Sequence, residues 1–353
     1  MRVLDLSSVS RPQDRAERAA PLLGPNTAAC IGAFDGMHLG HQALIARARA
    51  CAPEVAVVTF EPRPVDLLAP DRAPARLQLP RQRARVCRDL GVDTLVVLGF
   101  DREVSRMSPA QFVQRFLIEA LGPRHVVVGY DFRFGAGRAG GPAELGALLE
   151  VAGIALSVVD KIAAQTRGGV EPTEKLGSTA IRRLASEGLV DEAAHLLGRL
   201  YAVAGPVVHG AARGRTIGFP TANIQSQGLL PAPGVYAGFL SLLDQAGEVE
   251  VEHWPAVANI GTNPTFDPQP RPGLEVHALD VDLGERLYAR EVEFSFVAKL
   301  RDERRFDGPE ALRAAITRDI EQARPLLSGR HARRFATSVT PAPPVAPALP
   351  VAD

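Results

Sequence analysis

From about residue 27 to residue 160, short apolar runs rich in β-branched side chains alternate with stretches of helical period. That alternation builds a parallel sheet with crossover helices, an α/β domain. The expected strands are residues 28–31, 55–60, 94–99, 125–129 and 154–159, all near-continuous apolar runs of the buried kind. Ser108 and Pro109 open a helix that should run to Leu121 and stop at Gly122, with an N-cap, a first-turn proline and a C-terminal glycine. Residues 164–177 are polar and glycine-bearing, which predicts a mobile loop. Ser178 then reads as the N-cap of a helix reaching Glu187, and a second helix over 191–199 leads out of the domain.

Near Tyr201 the period changes from helical to alternating. Expected strands at 202–208, 234–243, 249–260, 274–280 and 292–300 follow one another with turns between them, the pattern of a small antiparallel barrel. The segment DQAG at 244–247 is a hairpin turn between two of these strands. Asp307 and Glu310 form a capping box for a terminal helix to about Ala323, and the Pro/Ala tail at 335–353 predicts disorder.

Composition narrows the class. A chain of 353 residues is long enough for two domains, and 46% apolar with 23% charged residues excludes a wholly disordered chain. Lys plus Arg and Asp plus Glu both total 40, so no net field draws the chain to nucleic acid or to acidic membranes. Lysines occur only at 161, 175 and 299, so arginine carries nearly all the positive charge and a single Arg is informative only inside a motif. Cys30, Cys51 and Cys87 are widely spaced and form no C-x-x-C pair, which fits a reducing compartment rather than a disulfide framework or a zinc site. No secretory leader or membrane-spanning run is legible, and the expected location is the cytoplasm. A homo-oligomer is compatible with the sequence, which does not fix the oligomeric state.

The N-terminal chemistry begins at CIGAFDGMHLGH, residues 30–41, where the first long strand hands over to a helix. Gly32 and Gly36 permit a tight turn and close approach to a ligand, and a helix N-terminus favours phosphate. His38 and His41, three apart, share a face of the first helical turn and add donors that the helix end alone lacks. Neither a Walker A sequence nor G-x-G-x-x-G is present, which disfavours P-loop hydrolysis. Ser178, Thr179 and Arg182 form a second cluster, either a phosphate-holding group or an ordinary capped helix with a surface Arg. In VGYDFRFG, residues 128–135, an Asp and two aromatics either bracket a flat ring or close the sheet as a hydrophobic loop.

The C-terminal chemistry begins at GAARGRTIGFPTANI, residues 210–224. Gly210 and Gly214 permit close backbone approach, and Thr221 and Asn223, two apart, face one side of a strand. A hydroxyl and an amide there suit a Mg²⁺ ion already partly coordinated by nucleotide phosphates. In LEVHALD, alternation sets Glu275 and His277 opposite Leu274 and Val276; Glu275 reads as an acid in a barrel interior, paired or catalytic, and His277 as structural.

GAFDGMHLGH, TFEPRP (59–64), VGYDFRFG and STAIR together resemble the FMN adenylyltransferase module of the bifunctional bacterial riboflavin kinase/FAD synthetases. GRTIGFPTAN, PGVYAG (233–238), NIGTNPTF (259–266), LEVHALD and KLRDERRF (299–306) resemble the riboflavin kinase module of the same family. The resemblance implies a Rossmann-like nucleotidylyltransferase domain over 27–190 after an N-terminal extension at 1–26, a linker helix at 191–201, and a kinase β-barrel with its terminal helix over 202–330. It makes His38 and His41 ATP-phosphate ligands, with Gly32, Phe34, Asp35, Gly36 and Gly40 lining the nucleotide. Ser178, Thr179 and Arg182 hold phosphates as pyrophosphate leaves, and Asp131 contacts the flavin. In the barrel, Gly210 and Gly214 approach the nucleotide, Thr221 and Asn223 hold Mg²⁺ and ATP phosphates, and Glu275 is the base for the ribityl hydroxyl. Riboflavin, FMN, FAD and ATP are the implied small-molecule partners, and Mg²⁺ with ATP as co-substrate is the only cofactor expected. Tyr130, Arg63 and Gly177 depart from the commoner family residues, an acid, His and Ser respectively. Two rival readings are a nucleotidylyltransferase for another phosphorylated acceptor and a flavin-sensing protein without catalysis.

Overall fold

In a computed structural model, residues 1–7, 21–162, 176–209, 218–245, 247–261, 273–281, 287 and 289–328 are described, with 251 and 252 described by backbone alone. The described residues divide into two compact units, one drawn from 1–74 and 86–162, the other from 75–85 and 176–328.

The first unit is built on six parallel strands: β1 (Arg2–Leu6), β2 (Thr27–Ile31), β3 (Glu54–Glu61), β4 (Thr94–Gly99), β5 (His125–Gly129) and β6 (Ala155–Val159). Their spatial order is β1-β4-β3-β2-β5-β6, with every neighbouring pair parallel. All five residues of β2 are buried, as a central strand covered on both faces requires. One face is filled by Ala29, Ile31, Val58, Val96, Val126 and Val128 against Phe112, Phe116 and Leu145. The five strands expected from the sequence are all present. β1 was not expected; it adds to the sheet through parallel pairing of Arg2–Leu6 with residues 94–98.

The order of strands fixes where a ligand would meet the sheet. From β2 the chain steps outward through β3 and β4, then returns to place β5 and β6 on the other side of β2. β2 and β5 are therefore the strands between which the winding reverses, and the loops leaving their carboxyl ends flank a crevice.

The helices of this unit follow their signals, with one change of pitch. α1 (Leu39–Cys51) leaves the β2 loop, α2 (Pro64–Leu68) follows β3, α3 (Pro80–Asp89), of which residues 80–85 are counted with the second unit, precedes β4, and α4 (Arg102–Ser105) follows it. α5 (Pro109–Phe112) has the Ser108–Gln111 capping box, then continues over Val113–Leu121 with the wider π-type pitch to a left-handed Gly122 (φ 57°). α6 (Pro142–Glu150) lies before β6.

The second unit carries α7 (Ser178–Ser186), α8 (Val190–Leu197) and a closed antiparallel barrel. Its strands are β7 (Tyr201–Val208), β8 (Ala222–Ile224), β9 (Gly234–Leu243), β10 (Val249–Gly261), β11 (Gly273–Ala278) and β12 (Glu291–Arg301), in the order β10-β11-β8-β7-β12-β9. The interior is aromatic. Phe294 and Phe296 meet edge to face at 4.8 Å, Tyr236 packs edge-on against Phe296 at 5.3 Å, and all three are fully buried. Burying each such ring contributes about 1.5–3 kcal/mol, and the Tyr236 hydroxyl is satisfied by donating to the Ala232 carbonyl at 2.6 Å. Gly238 must lack a side chain, since a Cβ there would lie 2.3 Å from the Ser295 carbonyl. Ile181, Leu184, Ala185, Val190, Ala193 and Leu197 bind α7 and α8 into the same core.

Three helix starts differ from expectation. Gly177, not Ser178, is the N-cap of α7: its backbone is extended (φ 175°, ψ 171°), Ser178 is already helical, and no side chain caps the end. The helix leading out spans Val190–Leu197 and ends on a left-handed Gly198. The terminal helix α9 (Pro309–Ser328) begins one residue too late for an Asp307 cap and runs past Ala323 through Pro325. Residues 164–175 of the loop expected over 164–177, the centre of the DQAG turn at Ala246, and the tail from 329 lie outside the described residues; beside that turn, the Gly247 N–H donates to the Asp244 carbonyl at 3.0 Å.

Candidate active sites in the two units

In the first unit, residues 32–38 leave the carboxyl end of β2 at the switch point. The loop is held at many points. Gly32 N–H donates to the Val58 carbonyl at 3.1 Å, and Thr59 Oγ1 donates to the Ala33 carbonyl at 3.2 Å. Gln42 Nε2 donates to the Met37 carbonyl at 3.0 Å. These ties support an unfavourable backbone: Phe34 (φ 48°), Gly36 (φ 92°) and Met37 (φ 43°) all lie in the left-handed region. For Phe and Met that conformation costs roughly 1–3 kcal/mol each and persists only where the surroundings over-determine it, a condition concentrated at functional sites. Only Gly36 of the loop's two expected hinge glycines has this geometry; Gly32 does not.

His38 is the N-cap of α1 rather than a member of its first turn. Its Nδ1 accepts from the His41 N–H at 3.4 Å, which leaves the ring proton on Nε2 in the neutral tautomer. The His38 and His41 rings stack at 3.7 Å with 19° between planes, and Phe34 tilts against His41 at 5.0 Å. His38 is buried and His41 half-buried. The pair is thus brought together, at a helix N-terminus, by a loop tied to β3 and to α1. Gly40 occupies the first turn of α1, and Asp35 is buried in the loop.

Asp131 is exposed just beyond β5, the strand adjacent to β2, so its loop and the histidine loop leave the sheet on the two sides of the switch point. The aromatics beside it do not bracket a ring. Phe132 and Phe134 stack on each other at 5.5 Å, and Phe134 packs against Phe112 within the core. A flat ring between them would need about 3.5 Å of clearance on each face, so this segment closes the sheet as a hydrophobic loop.

In the second unit, Ser178 is half-buried, Thr179 exposed, and Arg182 lies one turn on along α7. Arg182 Nε donates to the Ala75 carbonyl at 2.9 Å, which fixes the guanidinium.

The barrel places its polar residues on the outside. Leu274 and Val276 fill the interior at 1% exposure each, while Glu275 and His277 are half-buried on the opposite face. Glu275 is therefore not an acid in the barrel interior; the apolar side of the strand took that place, as burial energetics demand. Register sets Asn223 of β8 directly across from Glu275 of β11, and Glu275 directly across from Asn259 of β10. Directly opposed residues share a face with Cβ atoms about 4.5–5.5 Å apart, so Asn223, Glu275 and Asn259 form one row over three strands. Asn259 was not singled out from the sequence; the signal was its place at the head of NIGTNPTF, beside a buried apolar alternation. Thr221 precedes β8 rather than lying within it, half-buried two residues from Asn223. His277 Nδ1 bonds the Pro220 carbonyl at 2.8 Å and its ring meets Phe219 edge-on at 5.5 Å, so it anchors the residues before Thr221. Gly210 and Gly214 lie outside the described residues.

Comparison with known proteins agrees with both halves. Residues 23–170 match the FAD synthetase family and residues 197–327 the riboflavin kinase family. A bifunctional riboflavin kinase/FMN adenylyltransferase from Pseudomonas fluorescens is 40% identical over 304 residues, covering 84% of this chain and 92% of that protein. The protein of the same description from Bacillus subtilis (strain 168) is 34% identical over 302 residues, covering 83% and 90%. Among solved structures, that of a macrolide-efflux protein from Streptococcus pneumoniae superposes with a TM-score of 0.75 at 26% identity, covering 92% of this chain and 99% of that one. Among the described residues no helix is long and apolar enough to cross a membrane. With both modules matched in order and relatives aligned over more than four-fifths of its length, the chain belongs to the bifunctional riboflavin kinase/FMN adenylyltransferase family.

Proposed function

We propose that the chain makes FAD from riboflavin in two steps, phosphorylating riboflavin with ATP at the barrel and adenylylating the resulting FMN with a second ATP at the α/β unit. The observation that carries this reading is that each unit holds its own set of reactive side chains: the stacked His38–His41 pair on a strained switch-point loop, and the Asn223–Glu275–Asn259 row on the barrel.

At the barrel, Glu275 accepts the proton from the ribityl hydroxyl as that oxygen attacks the γ-phosphorus of ATP. Thr221 and Asn223 offer a hydroxyl and an amide oxygen, neutral hard donors that fit a Mg²⁺ ion whose remaining ligands are phosphate oxygens. When bound, that ion neutralises charge on the transferring phosphoryl group. Asn223 and Asn259 stand directly opposite Glu275 on the two neighbouring strands, one on either side of it.

At the α/β unit, an FMN phosphate oxygen attacks the α-phosphorus of ATP and pyrophosphate leaves. The nucleophile is already anionic and needs no base. The chain's contribution is alignment and charge neutralisation: His38 and His41 donate to ATP phosphates, with Gly32, Phe34, Asp35, Gly36 and Gly40 forming the nucleotide's backbone cradle. Asp131 meets the flavin.

ATP labelled at one phosphorus or another tests both steps. γ-Labelled ATP with riboflavin should label FMN, and α-labelled ATP with unlabelled FMN should label FAD. Label from neither position in any flavin would refute the reading, and α-label in an acceptor other than FMN would favour a different nucleotidylyl transfer.

A further inference from the structure

Arg63 is an unusual residue to find where it is. It is 5% exposed, at the N-cap of α2 just beyond the carboxyl end of β3, the strand next to β2 in the sheet. Its guanidinium reaches three separate pieces of chain. Nη1 donates to Asp35 Oδ2 at 2.9 Å, Nε donates to both oxygens of Asp66 at 3.2 and 3.1 Å, and Nη2 donates to Asp66 Oδ1 at 2.6 Å and to the Pro74 carbonyl at 2.7 Å. Four of the group's five N–H bonds are therefore spent inside the protein. Asp35, itself 5% exposed, is one of the two carboxylates paired with Arg63, the other being Asp66, and sits in the loop between Phe34 and Gly36.

A buried ion pair costs much of its Coulombic gain in desolvation, so stability alone is a weak reason for it. What it supplies is geometry. The loop carries two non-glycine residues in the left-handed region within four positions, and its backbone is tied at Ala33 and Met37. The span between those ties, residues 34–36, is held through the Asp35 carboxylate, and His38 follows two residues after it. The fork closes on Asp66 through Nε and Nη2 and is held again at the Pro74 carbonyl, which sets the plane of the guanidinium and so the direction from which Nη1 meets Asp35; an ammonium has no such plane.

We propose that Arg63 is a positioning residue for adenylyl transfer, locking Asp35 and through it the loop that presents His38. This rests on the α/β unit being the adenylylating site. Arg63 acts on the histidine's placement, and ATP itself is bound by other groups. A displacement of about 1 Å at a reacting centre costs up to about 10²-fold in rate, so loosening the lock should lower turnover more than affinity.

The test uses the full chain with Arg63→Lys, Arg63→Gln and Asp35→Asn, and the double Arg63→Lys/Asp35→Asn, assayed for FMN to FAD conversion and for thermal unfolding. The expected result for Arg63→Lys, which keeps the charge but not the fork, is a fall of roughly 10- to 100-fold in FAD-forming kcat, with ATP KM changed less than about threefold and unfolding shifted little. The double variant should be no slower than the slower single variant, because both changes cut one path. Full activity in Arg63→Lys would overturn the proposal. So would a rise in ATP KM at unchanged kcat, which would make Arg63 a phosphate ligand, or a loss that disappears on cooling in step with refolding, which would make it structural. If the unaltered chain forms no FAD from FMN, the adenylylation reading fails and this inference fails with it; if it forms FAD and all three single variants match it, this inference alone fails.

Discussion

Replacing Glu275 by Gln removes a base while leaving the shape of the barrel's outer row almost unchanged. The side chain is half-buried, stands outside the aromatic core, and lies between two amides across the strands, both of which can bond a third amide. Gln keeps the volume of Glu and one of its acceptor oxygens, so stability should change by roughly 1 kcal/mol or less. The chemical cost is of another size. A general base contributes roughly 10²–10⁴ in rate, which at 1.36 kcal/mol per tenfold is about 2.7–5.4 kcal/mol of transition-state stabilisation. The assay is FMN formation from riboflavin and ATP, read by chromatography, beside FAD formation when the same preparation is given FMN. FMN formation should fall by that factor, FAD formation should hold within about twofold, and the unfolding temperature should shift little. FMN formation within threefold of the unaltered chain would show that proton removal is not what Glu275 does; equal loss of both activities would show that the two steps do not have separate sites.

His38→Ala should reduce FAD formation by about 10²–10³, the measured range for losing one preorganised donor, and spare FMN formation; unchanged FAD output would remove His38 from the site. Gly36→Ala places a Cβ on a backbone at φ 92°, a cost of roughly 1–2 kcal/mol, and should lower FAD formation without touching the kinase step. His125 is held below its ordinary 6.5 by burial first and by Arg47 and Arg124 second, while its Nε2 meets Ser157 Oγ at 2.9 Å. The folded state thus binds this proton less readily than the unfolded chain, so stability rises with pH through the window just below 6.5 and is lost as pH falls through it. Thermal unfolding from pH 7 to pH 5 should show a flatter decline in His125→Asn, and an identical decline would assign the acid sensitivity elsewhere.

Much of this architecture could be read from periodicity, because buried parallel strands and alternating barrel strands leave different apolar patterns. What escaped has physical reasons. β1 is a short edge strand of mixed residues, RVLDL, with Leu6 its one buried side chain, too slight a signal beside a charged leader. The π-type pitch after Phe112 depends on what the helix packs against, not on its own period. Glu275 was placed on the correct face relative to Leu274 but with that face turned inward; two-residue alternation separates faces without saying which is wet, and burial of the apolar one decides it. His38 as a cap went unseen because imidazole is not among the usual N-cap side chains. The contact between Asp35 and Arg63 joins residues 28 apart through the sheet, and no local pattern announces it.

One chain carries out a phosphoryl transfer and then an adenylyl transfer. Purified protein given riboflavin, ATP and Mg²⁺, sampled over time and separated by chromatography, should show FMN rising first and FAD following at its expense. Riboflavin retained by the protein but chemically unchanged, with ATP present throughout, would contradict it.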